Sequence, residues 1–392
     1  MNPGREVASI TAGLDHLYRQ MNAGNGVLDQ EGLVPVYLVH VDAEEFVDWA
    51  QADARLSEVE QQLVLVSDPL RRAYLAEMVD SIRAQIAVFQ DSGALTYQER
   101  VRRCLRVPPE PVPKTVLDDY RTAIAHALDE IGYDSRNIEE SLPRWELDAR
   151  INDDLVLTTI EKLLHEARER TEASMFQIPE GTLEPVGVHG VPFAAYCDYP
   201  GRRLILNLDY GYTLPALKHL ACHEGFPGHF VHLAVREALT ISGEMPLDGA
   251  LVVTSSASSP LFEGIAENGI QFLNWIEGPT DRLAIALNRL RSAARINAAY
   301  RIHAEHASHA EVVRYLMETC FQSEVWAQSR LAFLTHPLRA PFIFAYWYGD
   351  QAVDHVWQRV NPAQRATFWQ YLYTNMHTPS TLDLFWPVES PA

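Results

Sequence analysis

Between Leu217 and Val235 the chain reads LKHLACHEGFPGHFVHLAV, a stretch in which imidazole and carboxylate groups stand close enough to act together. His223 and Glu224 are adjacent, and His229 follows after an intervening Pro227-Gly228. Two histidines four residues apart on a helix meet on one face and can hold one metal ion, with a neighbouring glutamate placed to move protons. His223 and His229 are spaced differently. Six residues turn a helix through about 600°, which leaves the two rings roughly a third of a turn out of line. Proline removes a backbone donor and crowds the preceding turn, whereas glycine accepts backbone conformations closed to other residues. Two outcomes are open. Either Pro227-Gly228 loops out and His229 takes the place of an i+4 histidine, or the pair ends the helix and His229 opens another.

A catalytic zinc generally takes three protein ligands, often two histidines and a glutamate. The next candidate carboxylates are in SSPLFEGIAENGIQFLNW, where Ser259-Pro260 suits a helix start and Glu263, Glu267 and Ile270 then share a face. Carboxylates on an apolar helix are costly to bury unless they coordinate or accept hydrogen bonds. A solvated face is the plain alternative. Against it, Leu261, Phe262, Ile265 and Ile270 leave little of this helix free for a polar side.

With HEGFPGHF followed downstream by FEGIAENG, the chain resembles the bacterial family called domain of unknown function 885, whose signature is H-E-x-x-P-G-H with a later E-G-W-A. That family is similar to the gluzincin metallopeptidases. The likeness runs through RLRSAARINAAYRIHAEH to FAYWYG, roughly residues 180 to 352, with a weaker echo in LTYQERVRRCLRVPPEPVP. It implies a gluzincin-like helical architecture, with zinc held by His223, His229 and Glu263 and with Glu224 as general base. It also implies substrate contacts at Arg291 and Arg295, and transition-state contacts at His303 and Tyr346. Glu267, one turn beyond Glu263, is then placed to orient a ligand histidine. The implied activity is hydrolysis of an amide or peptide bond in a small peptide or amino-acid conjugate by a metal-activated water. This chain departs from the family pattern at Phe230, His232, Ile265, Ala299 and Trp347. Those departures keep two other readings open, a metal-dependent biosynthetic or lyase-type enzyme and a non-catalytic helical binding protein.

These residues need helices to position them. Helical periodicity is strong in AEEFVDWAQADARLSEVEQQL and in DPLRRAYLAEMVDSIRAQIAVFQ, where Leu75, Met78, Val79, Ile82, Ile86 and Val88 form a buried stripe. The four prolines of RVPPEPVPKT favour an extended connector, either a soft boundary between an N-terminal helical region, 1–113, and a zinc-binding region, 114–392, or a loop within one continuous domain. Further helices are expected at TVLDDYRTAIAHALDEIGY, DDLVLTTIEKLLHEARERTEASMF, DRLAIALNRLRSAARINAAYRIHAEH and NPAQRATFWQYLYTNM. Thr213 can cap the helix that carries His223, with Pro215 in its first turn. VPFAAYCD and RRLILNLD, separated by a Tyr-Pro-Gly turn, read as an antiparallel β-hairpin. Its strand Arg203 to Asp209 is then a candidate edge for an extended substrate. Ser308 and Glu311 form a capping-box pattern, so His303, His306 and His309 read as helix-end residues rather than as a second metal site. The fold expected is mainly α with a small antiparallel sheet.

The chain has 392 residues, is 47% hydrophobic and carries a formal charge of −20, an acidic balance that repels polyanions and excludes nucleic acid as a partner class. It holds no apolar run long enough to span a bilayer, so no membrane partner is expected. The N-terminal residues lack the basic-then-apolar layout of a secretory signal. Cys104, Cys197, Cys222 and Cys320 are widely spaced, which reads as reduced, buried thiols of a cytoplasmic protein.

Overall fold

The computed structural model describes residues 2–21, 31–178, 181–191 and 193–386. The chain begins with helix α1 (Pro3–Met21), strand β1 (Val36–Tyr37) and helices α2 (Trp49–Gln62), α3 (Pro69–Gln90) and α4 (Tyr97–Leu105). Helices α5 (Lys114–Glu130), α6 (Ile138–Asp148) and α7 (Val156–Ser174) lead to strands β2 (Glu184–Val188), β3 (Ala195–Asp198) and β4 (Arg203–Asn207). Then come α8 (Leu214–Leu220), α9 (His229–Ser242), β5 (Leu251–Val252), α10 (Ser259–Glu267), α11 (Gly269–Phe272) and α12 (Pro279–His303). The chain closes with α13 (His309–Cys320), α14 (Glu324–Thr335), α15 (Ile343–Trp357), α16 (Arg365–Thr374) and α17 (Pro379–Phe385). The fold is mainly α with small sheets. No described helix is long and apolar enough to cross a membrane.

Helix starts follow side-chain chemistry. Asp48 accepts from the Gln51 amide at 2.8 Å, so α2 begins at Trp49 rather than at the acidic residues before it. Asp68 caps α3 ahead of Pro69, and its stripe residues Leu75, Met78, Val79, Ile82 and Ile86 are buried, whereas Val88, near the helix end, is only partly so. Thr213 caps α8 through the Ala216 amide at 3.3 Å. Ser308 and Glu311 form both bonds of a capping box at the head of α13.

The chain divides into two compact units, one made of Met1–Pro109, His232–Gly264 and Tyr348–Ala392, the other of Glu110–Val231 and Ile265–Trp347. The first crossing falls inside the proline-rich connector. The region from residue 114 onward is not one block, because two of its segments join the N-terminal helices. In that first unit, β1 pairs antiparallel with β5. Gln85 on α3 donates to the carbonyls of Thr254 and Ser255 at 3.0 and 2.8 Å, and Arg71 pairs with Asp248. These are long-range bonds that no local pattern announces.

The second unit holds the larger sheet, in the order β2-β4-β3. The hairpin is present as an antiparallel pair, Ala195↔Leu206 to Asp198↔Arg203. The sheet is mixed rather than antiparallel, however, because β2 adds in parallel, Glu184↔Arg203 to Val188↔Asn207. This corrects the expected docking edge: Arg203–Asn207 is the central strand, and both of its edges are hydrogen-bonded by β2 and β3. Long helix α12 packs against α5 and α13, burying Leu283, Leu287, Leu290 and Ile296. Asn297 on α12 clasps the connector, accepting from the Val112 amide at 2.7 Å and donating to its carbonyl at 3.0 Å.

Candidate metal centre

Helix α8 does not run straight on through His223. Ala221–Gly225 forms a wider π-helical turn, in which the Phe226 amide reaches back to the Ala221 carbonyl at 3.0 Å. Turns of this kind are rare in helices and recur at functional sites. The chain then breaks at Phe226-Pro227, a cis peptide bond, and α9 opens at His229. The Gly228 amide closes the break on the Cys222 carbonyl at 2.9 Å. Of the two outcomes left open above, Pro227-Gly228 does end the helix, yet His229 still reaches His223. Their ring centroids are 4.6 Å apart in an edge-on arrangement at 84°.

Two groups of donors form around this turn. One ligand atom each of His223, Glu224 and His229 lie within 4.8 Å of one another, and so do those of His219, His223 and Glu267. His223, Glu224 and His229 are each only 7% exposed, so solvent does not dominate their electrostatics. Glu267, on the last turn of α10, faces His219 Nε2 at 3.1 Å and His223 Nδ1 at 3.7 Å. The separation from His223 is longer than a hydrogen bond, so Glu267 acts on that ring through its charge. A carboxylate hydrogen-bonded behind a histidine fixes its tautomer and orientation, which Glu267 is placed to do for His219.

The charges are arranged to keep this state. Burial by itself pushes the Glu267 carboxyl up, but His219, then His223 and Arg295, outweigh burial and bring it down to about 2. Burial lowers His229 from its ordinary value, with Glu224 and Glu267 acting in the opposite direction, so its ring favours the neutral form that ligates metal. Strand β3 packs on the π-helical turn. Its Cys197 thiol is raised well above the usual range by burial and then by the charge of Glu224. The buried imidazoles of His223 and His229 are donors of the kind zinc takes, and the carboxylate within 4.8 Å of them, Glu224, stands where it can bind such an ion or serve it as a base.

The remaining expected residues are distributed differently. Glu263 is buried one turn before Glu267 on α10, in the segment that belongs to the first unit. Arg291 is engaged bidentately by Glu146, at 2.9 and 3.1 Å. Arg295 donates to Ser292 at 3.0 Å and stacks over the Tyr346 ring at 5.1 Å. His303, at the end of α12, places Nε2 against the Leu334 carbonyl at 2.7 Å. His306 takes a left-handed backbone conformation between α12 and α13, in keeping with helix-end roles for these histidines. Among the family departures, Phe230 packs on Tyr199 and Phe226, and Trp347 donates to the Tyr120 hydroxyl at 2.9 Å. His232, in the first unit, lies against Phe262 and Tyr373.

No family model matches this chain, and no curated protein does either. Among solved structures it is similar to a "putative lipoprotein" from Colwellia psychrerythraea, with a TM-score of 0.57 and 15% identity. That match covers 85% of this chain but 59% of the other, so the chain spans little more than half of that protein. A "putative lipoprotein of unknown function" from Shewanella oneidensis matches with a TM-score of 0.56 and 13% identity, covering 86% of this chain and 72% of its own. At these identities the likeness is one of fold.

Proposed function

We propose that this chain is a zinc-dependent hydrolase of amide bonds in small peptides or amino-acid conjugates, with His223 and His229 as metal ligands and Glu224 as general base. The observation that carries the reading is the meeting of His223, Glu224 and His229 across a broken helix. A structural histidine pair gives no reason to bring a third ionisable group into the same buried space. Glu263 is the third ligand in this reading, by resemblance, and Glu267 faces the His223 ring as a nearby negative charge. Zinc in such a donor set supplies Lewis acidity near neutral pH. Glu224 accepts the proton of the attacking water and returns it to the departing amine nitrogen. Tyr346 and His303 stay in the reading as donors to the developing oxyanion, although His303 Nε2 faces the Leu334 carbonyl in this arrangement. The four buried cysteines, none in a disulfide, accord with a reducing, cytoplasmic setting.

The test is Glu224→Gln assayed against a panel of dipeptides and acylated amino acids. Turnover should fall by roughly 10²- to 10⁴-fold, the range of a general base, with metal content unchanged. Wild-type activity of a non-hydrolytic kind, seen by product analysis, would select the lyase-type reading instead.

A further inference from the structure

Three arginines gather beside the donor cluster, and only one of them is neutralised. Arg291 on α12 is matched by Glu146. Arg295, one turn later, and Arg330 on α14 make no ion pair among the described residues. Arg330 donates to the Tyr210 hydroxyl, and its guanidinium lies over the Tyr210 and Trp326 rings at 5.0 and 4.9 Å. Its Nε is buried without a hydrogen-bond partner, and so is the Nε of Arg295. The chain carries 52 acidic residues against 32 basic ones, so two half-buried guanidiniums with no carboxylate bonded to them run against its own composition.

Their mutual effect is unfavourable: burial lowers Arg330 from its ordinary range, and the charges of Arg295 and Arg291 add to that effect. Aromatic rings beneath a guanidinium stabilise its charge and fix its plane, leaving the N–H edge for an anion. The pair also stands near the metal-binding residues. Helix α12 packs against both α8 and α14, and Arg291, one turn before Arg295, lies over the same Trp326 ring as Arg330, at 5.9 Å against 4.9 Å.

We propose that Arg330 and Arg295 form a carboxylate subsite, one that holds the free C-terminal carboxylate of a small peptide or amino-acid conjugate. This rests on the amide-hydrolase reading for its substrate class and adds the requirement for a free acid. Planar guanidiniums match a carboxylate through paired N–H donors, and a substrate anion would supply the charge that the protein itself withholds.

The experiment measures binding by calorimetry in a Glu224→Gln background, so that no turnover intrudes. The probes are dipeptides and acetylated amino acids, each beside its C-terminal amide. Free acids should bind roughly ten- to a hundred-fold more tightly than their amides, the value of a hydrogen bond to a charged group. Arg330→Gln should erase that preference, and Arg330→Lys should keep part of it. If Arg330→Gln does not fold, the lysine variant carries the test, and an undiminished preference in it would overturn the subsite. Equal binding of acids and amides, no binding of either, or a preference that survives Arg330→Gln would also overturn it. An acid preference without metal or hydrolysis in the wild type would leave the subsite standing and remove the hydrolase reading. Hydrolysis without acid preference would do the reverse.

Discussion

At the scale of single residues, Gly228 decides whether the two motif histidines can meet. A Cβ built at this position would overlap the carbonyl oxygens of His223 and Cys222, and backbone atoms in the π-helical turn have no room to yield. Gly228→Ala should therefore destabilise the protein by about 1–3 kcal/mol, read as a lowered denaturant midpoint, and weaken metal retention with it. Unchanged stability would show that the turn can relax. His223, Glu224, His229 and the glycine between them were legible in the sequence as a group. His219 precedes His223 by four residues, yet nothing local said that Glu267 would face both rings. Arg330 was not legible, because its partners Tyr210 and Trp326 are brought to it by packing.

At the scale of elements, α8 is seven residues long and needs an anchor beyond its own hydrogen bonds. Lys218 supplies one. Its ammonium bonds Asp281 at 2.8 Å, at the head of α12, with side-chain exposures of 6% and 7%. Glu277 adds a second contact at 2.7 Å, and the Trp275 ring lies 4.8 Å away. Lys218→Met leaves a buried carboxylate without its partner and should cost about 3–5 kcal/mol in unfolding experiments. A loss below about 1 kcal/mol would mean that the pair is solvated in solution. Helix positions were largely readable because caps such as Thr213, Asp68 and the Ser308–Glu311 box are local chemistry. Strand β2 was not, since a parallel partner is chosen by contacts distant in sequence, and its insertion is what removed the expected free edge from β4.

At the scale of the whole molecule, acid should weaken the fold through groups buried in the neutral state. His377 is buried, its Nε2 set against the Tyr371 carbonyl at 3.1 Å, and burial lowers it from about 6.5 to about 4, against that bond's opposing effect. For a base lowered in the native state, the unfolded chain takes the proton first. Its contribution is thus complete above pH 6.5 and is lost as pH falls toward 4, by about 3 kcal/mol in all. His377→Gln should flatten that part of the stability–pH curve, and an equally steep curve would assign the slope to other groups. The split of the chain into two interleaved units lay beyond sequence patterns, since only long-range bonds such as Gln85 to Thr254 declare it. The central claim is that a broken helix builds a metal centre. It is tested most directly by elemental analysis of wild type and His229→Ala, purified without added metal or chelator. The account predicts about one zinc per chain in the wild type and its loss in the variant. Metal absent from both, or retained after His229 is removed, would contradict it.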